Sequence, residues 1–281
     1  MPLFKKAAVV GVGQIGGSLA WAIKKRRLAA EVTGVAKTSQ AAAQKLGAID
    51  RGYAPGGLAE ALRGADLVVL ALPVALNEAF VRDAAKCRLI DPKAVVIDVG
   101  STKARIVPSA RGGKLGPRFI GCHPMAGSEK SGALSANPDL FVNAVCFVSH
   151  ANARVERLWR AVGAHPVRLD PAAHDRWVAH ASHMPHLLAF LLFAGFPKGG
   201  GFAPNPSVRD LARISKSGPE LWAEIFESNR RELLPASKAF EKNLAAFNRA
   251  LARRDGRGVR ALIREANRRS ANSFPSDARK K

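Results

Sequence analysis

The 281-residue sequence has few cysteines and no apolar run long enough to span a membrane. Cys87, Cys122 and Cys146 are odd in number and show no C-x-x-C spacing, which argues against a disulfide framework and a structural zinc site. Residues 1–6 lead straight into an apolar strand, so the pattern predicts no signal peptide. These absences favour a cytoplasmic protein of one large or two medium domains.

Acidic residues are also scarce, 22 against 44 lysines and arginines, which gives a net charge of +22. Such a balance is typical of proteins that bind nucleic acid or anionic substrates. Much of the excess lies in residues 249–281, which lack aromatic interleaving, a helix-turn-helix pattern and zinc-finger spacing. We therefore interpret it as a solvated basic surface whose field attracts an anionic substrate and cofactor, and we do not expect a nucleic-acid partner.

The most informative stretch that is present is an apolar strand followed by glycines and an amphipathic helix. The G-x-G-x-x-G spacing falls on Gly11, Gly13 and Gly16. In this context the motif predicts a pyrophosphate site at the start of the helix, which includes Gln14 and Ile15. The alternative is a glycine-rich turn with no ligand.

Residues 1–170 alternate short apolar strands with helical stretches, which is typical of a doubly wound, mostly parallel sheet. After residue 170 strand signals stop, and Pro185 is expected to kink the first helical run. The long helical runs are predicted at 172–196, about 220–253 and 259–269. We therefore predict an α/β fold, with a Rossmann domain at 1–170 and an all-α domain at 171–281. Apolar helix faces in the second domain favour burial against another subunit and hence a homodimer.

The sequence after the second strand lacks the carboxylate that binds the ribose 2′-hydroxyl of NAD. Lys37, Thr38 and Ser39 stand there instead, and their cation and hydroxyls suit a 2′-phosphate, so the sequence favours NADP over NAD. The alternative is that Lys37 is an exposed loop lysine and that NAD is accepted. Leu72 and Pro73, at the end of another buried strand, are expected to run past the cofactor.

Two strand ends carry side chains suited to hydride transfer from an alcohol, which needs a base for the hydroxyl proton. His123 follows a short strand and is the candidate base, although a hydrogen-bonded loop histidine is the alternative. Ser101 is placed to bond the same hydroxyl, and it is also a candidate cap for the helix that follows. His180, His183 and His186 recur every third residue. No nearby carboxylate completes a metal site with them, so we expect no metal and place His183 or His186 in a polar pocket.

Taken together, these segments resemble the prephenate/arogenate dehydrogenase family. The resemblance rests on residues 11–18, 98–103, 123–132, 182–186, 209–214, 217–225 and 229–230. It implies an N-terminal Rossmann domain and a helical dimerisation domain. It also implies oxidative decarboxylation of prephenate or L-arogenate on the route to tyrosine, with hydride transfer to NAD(P) and 4-hydroxyphenylpyruvate or tyrosine as the product.

The resemblance assigns roles to particular residues. His123 matches the catalytic histidine that polarises or deprotonates the hydroxyl, and Ser101 matches the serine that assists it. Arg230 matches the arginine that binds a substrate carboxylate, and bidentate geometry is the physical reason for arginine there. Glu129 matches an acid that pairs with this arginine at the mouth of the cleft. The matching pocket histidines are His186 and His183.

The chain departs from the family pattern where residues 203–208 interrupt a run that is usually continuous, and at 211–212, where hydroxyl residues are common. These departures leave prephenate and arogenate open as substrates. Two rival hypotheses remain. One is another two-domain NAD(P)-dependent dehydrogenase, acting on a hydroxy or imino acid, which would not need the motif at His123. The other is a non-catalytic cofactor-sensing protein, which predicts salt-dependent binding to nucleic acid and no turnover.

Overall fold

The computed structural model describes residues 1–128, 130, 132–197 and 205–273. Within these ranges eight strands form one sheet. The strands are β1 Phe4–Val10, β2 Ala29–Val35, β3 Arg51–Tyr53, β4 Leu67–Leu70, β5 Val95–Asp98, β6 Phe119–Pro124, β7 Val145–Val148 and β8 His165–Arg168. Their order is β3-β2-β1-β4-β5-β6-β7-β8, and every neighbouring pair is parallel except β6 and β7. The predicted doubly wound sheet is confirmed.

Seven α-helices connect and cover the strands in the described part of the chain. They are α1 Gln14–Lys25, α2 Gln40–Lys45, α3 Leu58–Leu62, α4 Val74–Arg82, α5 Ala84–Arg88, α6 Ile106–Gly112 and α7 Ala153–Ala161. Buried side chains of α1, α2 and α7 join one apolar core, and those of α3 to α6 join a second core. The helices therefore lie on both faces of the sheet.

Strand β1 illustrates why a central strand is apolar where both of its faces are covered. Ala7 and Val9 belong to one core, whereas Ala8 and Val10 belong to the other. Because successive side chains of a strand point to opposite faces, a strand covered on both sides needs apolar residues at every position. The run at Leu67–Leu70 divides between the two cores in the same way.

The sheet has a switch point between β1 and β4. The chain passes from β1 to β2 and β3 on one side, and then returns to place β4 on the other side of β1. Crossovers on opposite sides leave a crevice at the carboxyl ends of these two strands, where doubly wound sheets bind their ligands. The glycine motif follows β1 directly and therefore lies at this crevice.

After β8 the described chain is helical. The helices are α8 Pro171–Val178, α9 Met184–Ala194, α10 Pro206–Ser215, α11 Pro219–Ser228, α12 Arg230–Ala252 and α13 Gly256–Ser273. Between α8 and α9 the chain makes a π-helical turn, Ala179–His183. Proline has no N–H, and its ring crowds the carbonyl group four residues earlier in a regular helix. The wider π-helical turn relieves this crowding and lies just before Pro185, where the sequence predicts a kink.

Two details of the predicted helices are wrong. The run predicted at about 220–253 is broken at Asn229, which separates α11 from α12 with φ −106° and ψ 21°. Helix α10 is not among the predicted runs. Asparagine is tolerated in many helices, and the break reflects buried hydrogen bonds of its side chain that no local pattern contains.

The chain divides into two compact units, Met1–Arg230 and Arg231–Lys281. The first unit therefore includes α8 to α11 together with the sheet. The domain boundary at residue 170 rests on the change in secondary structure and stays a prediction. Among the described residues no helix is both long enough and apolar enough to cross a membrane.

Candidate active site

The glycine loop after β1 has the shape of a pyrophosphate cradle. Gly11 has φ +103°, and a Cβ at Gly11 would collide with the backbone oxygen of Ala71. A Cβ at Gly16 would collide with the backbone oxygen of Gly11, so glycine is required at both positions. Nothing lies within 4 Å of a Cβ built on Gly13. The loop is therefore closely packed against the protein at Gly11 and Gly16, whereas the space next to Gly13 is open.

The amides at the start of α1 are available to an anion. The first helical hydrogen bond runs from Gly17 N–H to Gly13 O, at 2.8 Å, so the amides of residues 14–16 precede the helical ladder. Gly13 stands at the N-cap, and no described side chain caps this turn. Free amides at the positive end of a helix dipole, with open space before them, fit the pyrophosphate of a dinucleotide.

Gln14 joins this loop to the segment that follows β6. Its Nε2 lies 2.6 Å from Ser128 Oγ, and the Ser128 amide donates to its Oε1 at 3.0 Å. Gln14, Ile15 and Ser128 all line the cavity that contains the candidate base. The cofactor loop and the cavity are therefore continuous.

The residues predicted to meet the adenosine ribose follow β2. Lys37 and Thr38 are exposed, and Ser39 is half-buried at the N-cap of α2, where its side chain makes no capping bond. Their cation and hydroxyls are thus free of the local helix. This arrangement is compatible with a 2′-phosphate and equally with an unliganded loop, so the preference for NADP stays a prediction.

Leu72 and Pro73 stand at the carboxyl end of β4, beside the glycine loop. The buried Asn77 fixes this exit, since its Oδ1 accepts from Leu72 N–H at 3.2 Å and its Nδ2 donates to Leu72 O at 3.0 Å. The backbone groups of Leu72 are therefore held by a side chain on α4.

Ser101 follows β5 and lines the cavity. The alternative role as a helix cap is wrong, because α6 begins at Ile106 and Arg105 stands at its N-cap. The segment is fixed by Lys103, which is buried. Its Nζ bonds the Asp98 carboxylate and donates to the carbonyl oxygens of Gly100 (2.8 Å) and Thr102 (3.1 Å).

His123 lies within β6, opposite Phe147 on β7, and not in a loop after the strand as the sequence predicted. Its Nδ1 is 2.9 Å from His174 Nε2, and His174 Nδ1 is 2.8 Å from Asp175 Oδ1. The Asp175 carboxylate also accepts from the amides of Lys103 (2.7 Å) and Ala104 (2.8 Å). A relay of three side chains therefore starts at a buried carboxylate and ends at the candidate base.

This relay determines where the protons are. A carboxylate accepts, so His174 carries its proton on Nδ1 and presents an unprotonated Nε2. His123 must then donate from Nδ1, which leaves the lone pair on Nε2. Burial, with the nearby His174 and Lys103, holds the pKa of His123 well below its usual range, and burial also lowers the pKa of His174. Both rings are neutral at neutral pH, and His123 Nε2 is a proton acceptor.

The helical side of the site carries two more histidines. The buried His183 ring is 3.1 Å, through Nδ1, from Asn229 Nδ2, and His186 Nδ1 donates to Ser182 O at 2.9 Å. The His186 ring stacks on Trp222 with centroids 3.5 Å apart. His180 is exposed, and among the described residues no group of three or more His, Cys, Asp or Glu is arranged to hold a metal ion.

These groups surround a cavity of about 430 Å³. Its wall combines polar and apolar side chains, and the described lining contains one arginine and no carboxylate. The lining residues are Gln14, Ile15, Ser101, His123, Pro124, Met125, Ala126, Gly127, Ser128, Ala181, Ser182, His183, Pro185, His186, Arg213, Ile214, Ser217, Leu221, Trp222 and Ile225. The cavity is thus suited to a small anion with an apolar ring.

The structure brings Ser101, His123, His183 and His186 together around this cavity, but it does not bring Arg230 there. The Arg230 side chain is 68% exposed, and its nearest ion-pair partner is Glu227, at 3.9 Å. Arg213, on α10, lines the cavity instead. Glu129, predicted to pair with the arginine, lies outside the described residues.

Sequence reasoning assigned no role to His174, Asp175, Asn229 or Arg213. His174 and Asp175 lie in the first turns of a helix, where polar residues are ordinary, and nothing in their spacing points to His123. Arg213 lies within a segment of the family resemblance, and the choice between it and Arg230 needed the direction of each helix.

A dinucleotide cradle continuous with a cavity that holds a neutral histidine base defines a nicotinamide-dependent dehydrogenase. Residues 19–167 match the model for the prephenate dehydrogenase nucleotide-binding domain, and residues 170–265 match the model for the prephenate dehydrogenase dimerization domain. The chain belongs to the prephenate dehydrogenase family, as the sequence predicted.

Individual relatives agree with this assignment. Prephenate dehydrogenase of Lactococcus lactis is 31% identical, over 94% of this chain and 76% of the relative. The structure resembles Aquifex aeolicus prephenate dehydrogenase in complex with hydroxyphenyl propionate and NAD+, with a TM-score of 0.84 and 27% identity over 96% of this chain and 98% of that one. It also resembles Synechocystis arogenate dehydrogenase, with a TM-score of 0.76 and 26% identity over 96% and 100% of the two chains.

Proposed function

We propose that this protein catalyses the oxidative decarboxylation of prephenate or L-arogenate with hydride transfer to a nicotinamide dinucleotide. The products are 4-hydroxyphenylpyruvate or tyrosine, together with CO₂. The observation that carries the proposal is the hydrogen-bonded chain from Asp175 through His174 to His123, which leaves Nε2 of His123 without a proton at a cavity that Ser101 also lines and that is continuous with the glycine loop. Family membership and the likeness to dehydrogenases of both substrates support it.

His123 moves the proton in this mechanism. Its Nε2 accepts the proton of the ring hydroxyl, while Nδ1 remains bonded to His174. The charge that forms on His123 is stabilised through His174 by the Asp175 carboxylate. Ser101 bonds the hydroxyl oxygen and orients it toward His123.

When bound, the nicotinamide ring supplies a hydride acceptor. Loss of hydride from the ring carbon that bears the hydroxyl turns that carbon into a carbonyl. The bond to the ring carboxylate then breaks, CO₂ leaves, and the electron pair of that bond completes the aromatic ring. His123 returns its proton to the phenolate oxygen, so the reaction neither consumes nor releases a proton overall.

Arg213 is proposed as the group that binds a substrate carboxylate, in place of Arg230. Arg213 is the one arginine or lysine in the described lining of the cavity, and guanidinium geometry matches a carboxylate. The exposed Arg230 has no comparable position. The role of Glu129 stays a prediction.

We propose NADP as the preferred cofactor, on the basis of the missing carboxylate after β2 and the exposed Lys37. Replacing Lys37 with alanine is expected to raise the KM for NADP about fivefold and to leave the KM for NAD unchanged, because only NADP has a phosphate there. The exposed Lys45 on α2 is the matched control. Equal effects on both cofactors would contradict the preference.

We also propose that the protein is a cytoplasmic homodimer. Exposed apolar side chains on α9, Leu191 and Leu192, and on α12, Leu244 and Phe247, support a second copy as the partner. The match to a dimerization-domain model supports it as well. Sedimentation equilibrium of the full chain tests the dimer, and a monomer at micromolar concentration would contradict it.

One assay tests the proposed reaction. The full chain is incubated with prephenate and with L-arogenate, each with NADP and with NAD, and nucleotide reduction is followed together with CO₂ release. Turnover with at least one substrate is expected, and stoichiometric CO₂ separates this reaction from simple alcohol oxidation. Absence of turnover in all four combinations would contradict the proposal.

A further inference from the structure

The break between α11 and α12 places a buried amide against two separate segments. Asn229 is 2% exposed. Its Nδ2 lies 2.8 Å from the backbone oxygen of Asp175, on α8, and 3.1 Å from Nδ1 of His183, in the π-helical turn. No other hydrogen bond of the His183 ring occurs within the described part of the chain.

The backbone partner fixes the polarity of both bonds. A carbonyl oxygen accepts only, so the Asn229 atom beside Asp175 O is the NH₂ group and not the amide oxygen. The same nitrogen faces His183, and its second hydrogen is directed to Nδ1. His183 Nδ1 is therefore unprotonated, and a neutral ring in this position carries its hydrogen on Nε2.

We propose that Asn229 is a positioning residue that holds His183 as a neutral Nε2–H donor in the cavity, where it binds an acceptor oxygen of the substrate side chain. The role toward the substrate rests on the proposed function, whereas the state of the ring does not. His186 has the opposite polarity: it donates from Nδ1 to Ser182 O, which leaves Nε2 as an acceptor. The cavity thus presents one donor and one acceptor from adjacent turns.

The surroundings of His183 favour the neutral ring. The ionisable groups that face it are Asp175 and His174 on α8, His186 on α9 and His123 on β6, and its other neighbours are the rings of Trp222 and Phe226 on α11. Burial lowers the pKa of His183 to about 4, against the opposing effect of Asp175. The ring is neutral through the physiological range, and its hydrogen position is decided by Asn229 and not by charge.

The first test observes the ring directly and needs no turnover. Long-range ¹H–¹⁵N spectra of the ¹⁵N-histidine-labelled full chain report which ring nitrogen carries the hydrogen, and His183 is assigned by loss of its signal in H183Q. We expect hydrogen on Nε2, none on Nδ1, and no protonation down to about pH 5, about one unit above the pKa of about 4. Hydrogen on Nδ1 at pH 7 would overturn the proposal.

The second test inverts the bond with Asn229→Asp. A carboxylate accepts from Nδ1, so the neutral ring moves its hydrogen to Nδ1 and turns the Nε2 lone pair toward the substrate oxygen. At pH 8 the KM for the accepted substrate should rise about tenfold relative to wild type, with kcat within about twofold. In this variant the new carboxylate raises the pKa of His183 above its wild-type value. As the pH falls through that raised pKa, Nε2 is protonated again and the ratio of the variant KM to the wild-type KM returns toward one.

A purely structural role for Asn229 would give a KM ratio that does not change with pH. Two controls separate these cases. Ser228→Ala removes the adjacent hydroxyl, which bonds Ile225 O within its own helix at 2.9 Å, and should leave the KM profile unchanged. In the H183F background, N229D should no longer change the KM profile, since its effect passes through His183.

The outcomes also distinguish the inference from the proposed function. If no substrate is turned over, the nitrogen spectrum still decides the state of His183. If wild type is active but N229D gives a pH-independent KM ratio, the proposed function stands and the inference fails. If N229D does not fold, the wild-type spectrum decides.

Discussion

The glycine loop and the cavity present different kinds of group to a ligand. The loop uses backbone amides of consecutive residues, and an amide is always a donor. The cavity uses histidines, whose ring nitrogens are donors or acceptors according to what the other nitrogen bonds. Each cavity histidine therefore needs a second group: His174 for His123, Asn229 for His183, and a backbone carbonyl for His186. A site made of backbone amides requires only the right backbone conformation. A site made of histidines also requires a neighbouring group that determines which ring nitrogen carries the hydrogen.

The largest expected effect is at the cavity. Replacing His123 with asparagine removes the proton acceptor, and kcat should fall about a thousandfold, because general base catalysis typically contributes a factor of this order. Cofactor affinity, measured by nucleotide fluorescence, should be nearly unchanged, since the glycine loop is intact. His180→Asn, at an exposed histidine outside the cavity lining, is the matched control. Unchanged kcat in the His123 variant would remove it from the mechanism.

The positions of the ring hydrogens on His174 and His123 can also be changed from the other end of the relay, at Asp175. In Asp175→Asn an amide replaces one of the oxygens that accept from His174 and from two backbone amides. If the new NH₂ group donates to His174 Nδ1, both rings reverse and His123 Nε2 is protonated. We expect kcat to fall about a hundredfold, with substrate KM changed less than kcat.

The pH profile of the wild-type protein is informative as well. In wild type the pKa of His123 is held well below its usual range, so the neutral base is retained at mildly acidic pH and activity is lost only below that range. The control is Asp170→Asn, at the N-cap of the same helix, where the side chain accepts from the amides of Ala172 and Ala173 and touches no histidine. Loss of activity in both variants would indicate a damaged helix and would contradict the relay.

A smaller effect is expected at the arginines, and here two positions on different helices are compared. Arg213→Ala should raise the substrate KM about 30-fold, equivalent to about 2 kcal/mol, because a charge-assisted bond to a carboxylate is lost. Arg230→Ala should change KM less than twofold, since that side chain is largely exposed and does not line the cavity. The opposite order would restore the assignment that the family resemblance implied.

These arginines also illustrate how much the sequence could predict. The strand, glycine turn and helix at the start of the chain are local patterns; the structure confirms the predicted fold, and the family-model matches confirm the family. The choice between Arg213 and Arg230 depends on which side of its helix each faces. Neither helix has a local feature that fixes this, because the cavity is completed by β6, far away in sequence.

Asn229 and the pair His174–Asp175 were missed for a related reason. The apolar period on both sides of Asn229 predicts one continuous helix. The break at Asn229 is instead stabilised by hydrogen bonds of its side chain to residues 46 and 54 positions earlier in the chain. His174 and Asp175 follow Asp170, which caps the helix. Polar residues are ordinary near a capped helix start, so these two did not indicate a functional site. A contact between residues far apart in sequence cannot be predicted from a single sequence when local structure already explains the residue types.

An effect of about tenfold is expected at the glycine loop, which completes the comparison. Gly13 has φ −81°, which any residue adopts, and a Cβ there meets no protein atom within 4 Å. Gly13→Ala should therefore leave the melting temperature unchanged, but its methyl group enters the space assigned to the pyrophosphate and should raise the cofactor KM about tenfold, with kcat at saturation nearly unchanged. Gly56→Ala, at a site with equally open space, is the control. If the cofactor KM does not change in Gly13→Ala, the pyrophosphate does not lie in front of this loop, because a backbone cradle leaves no room for even one added carbon.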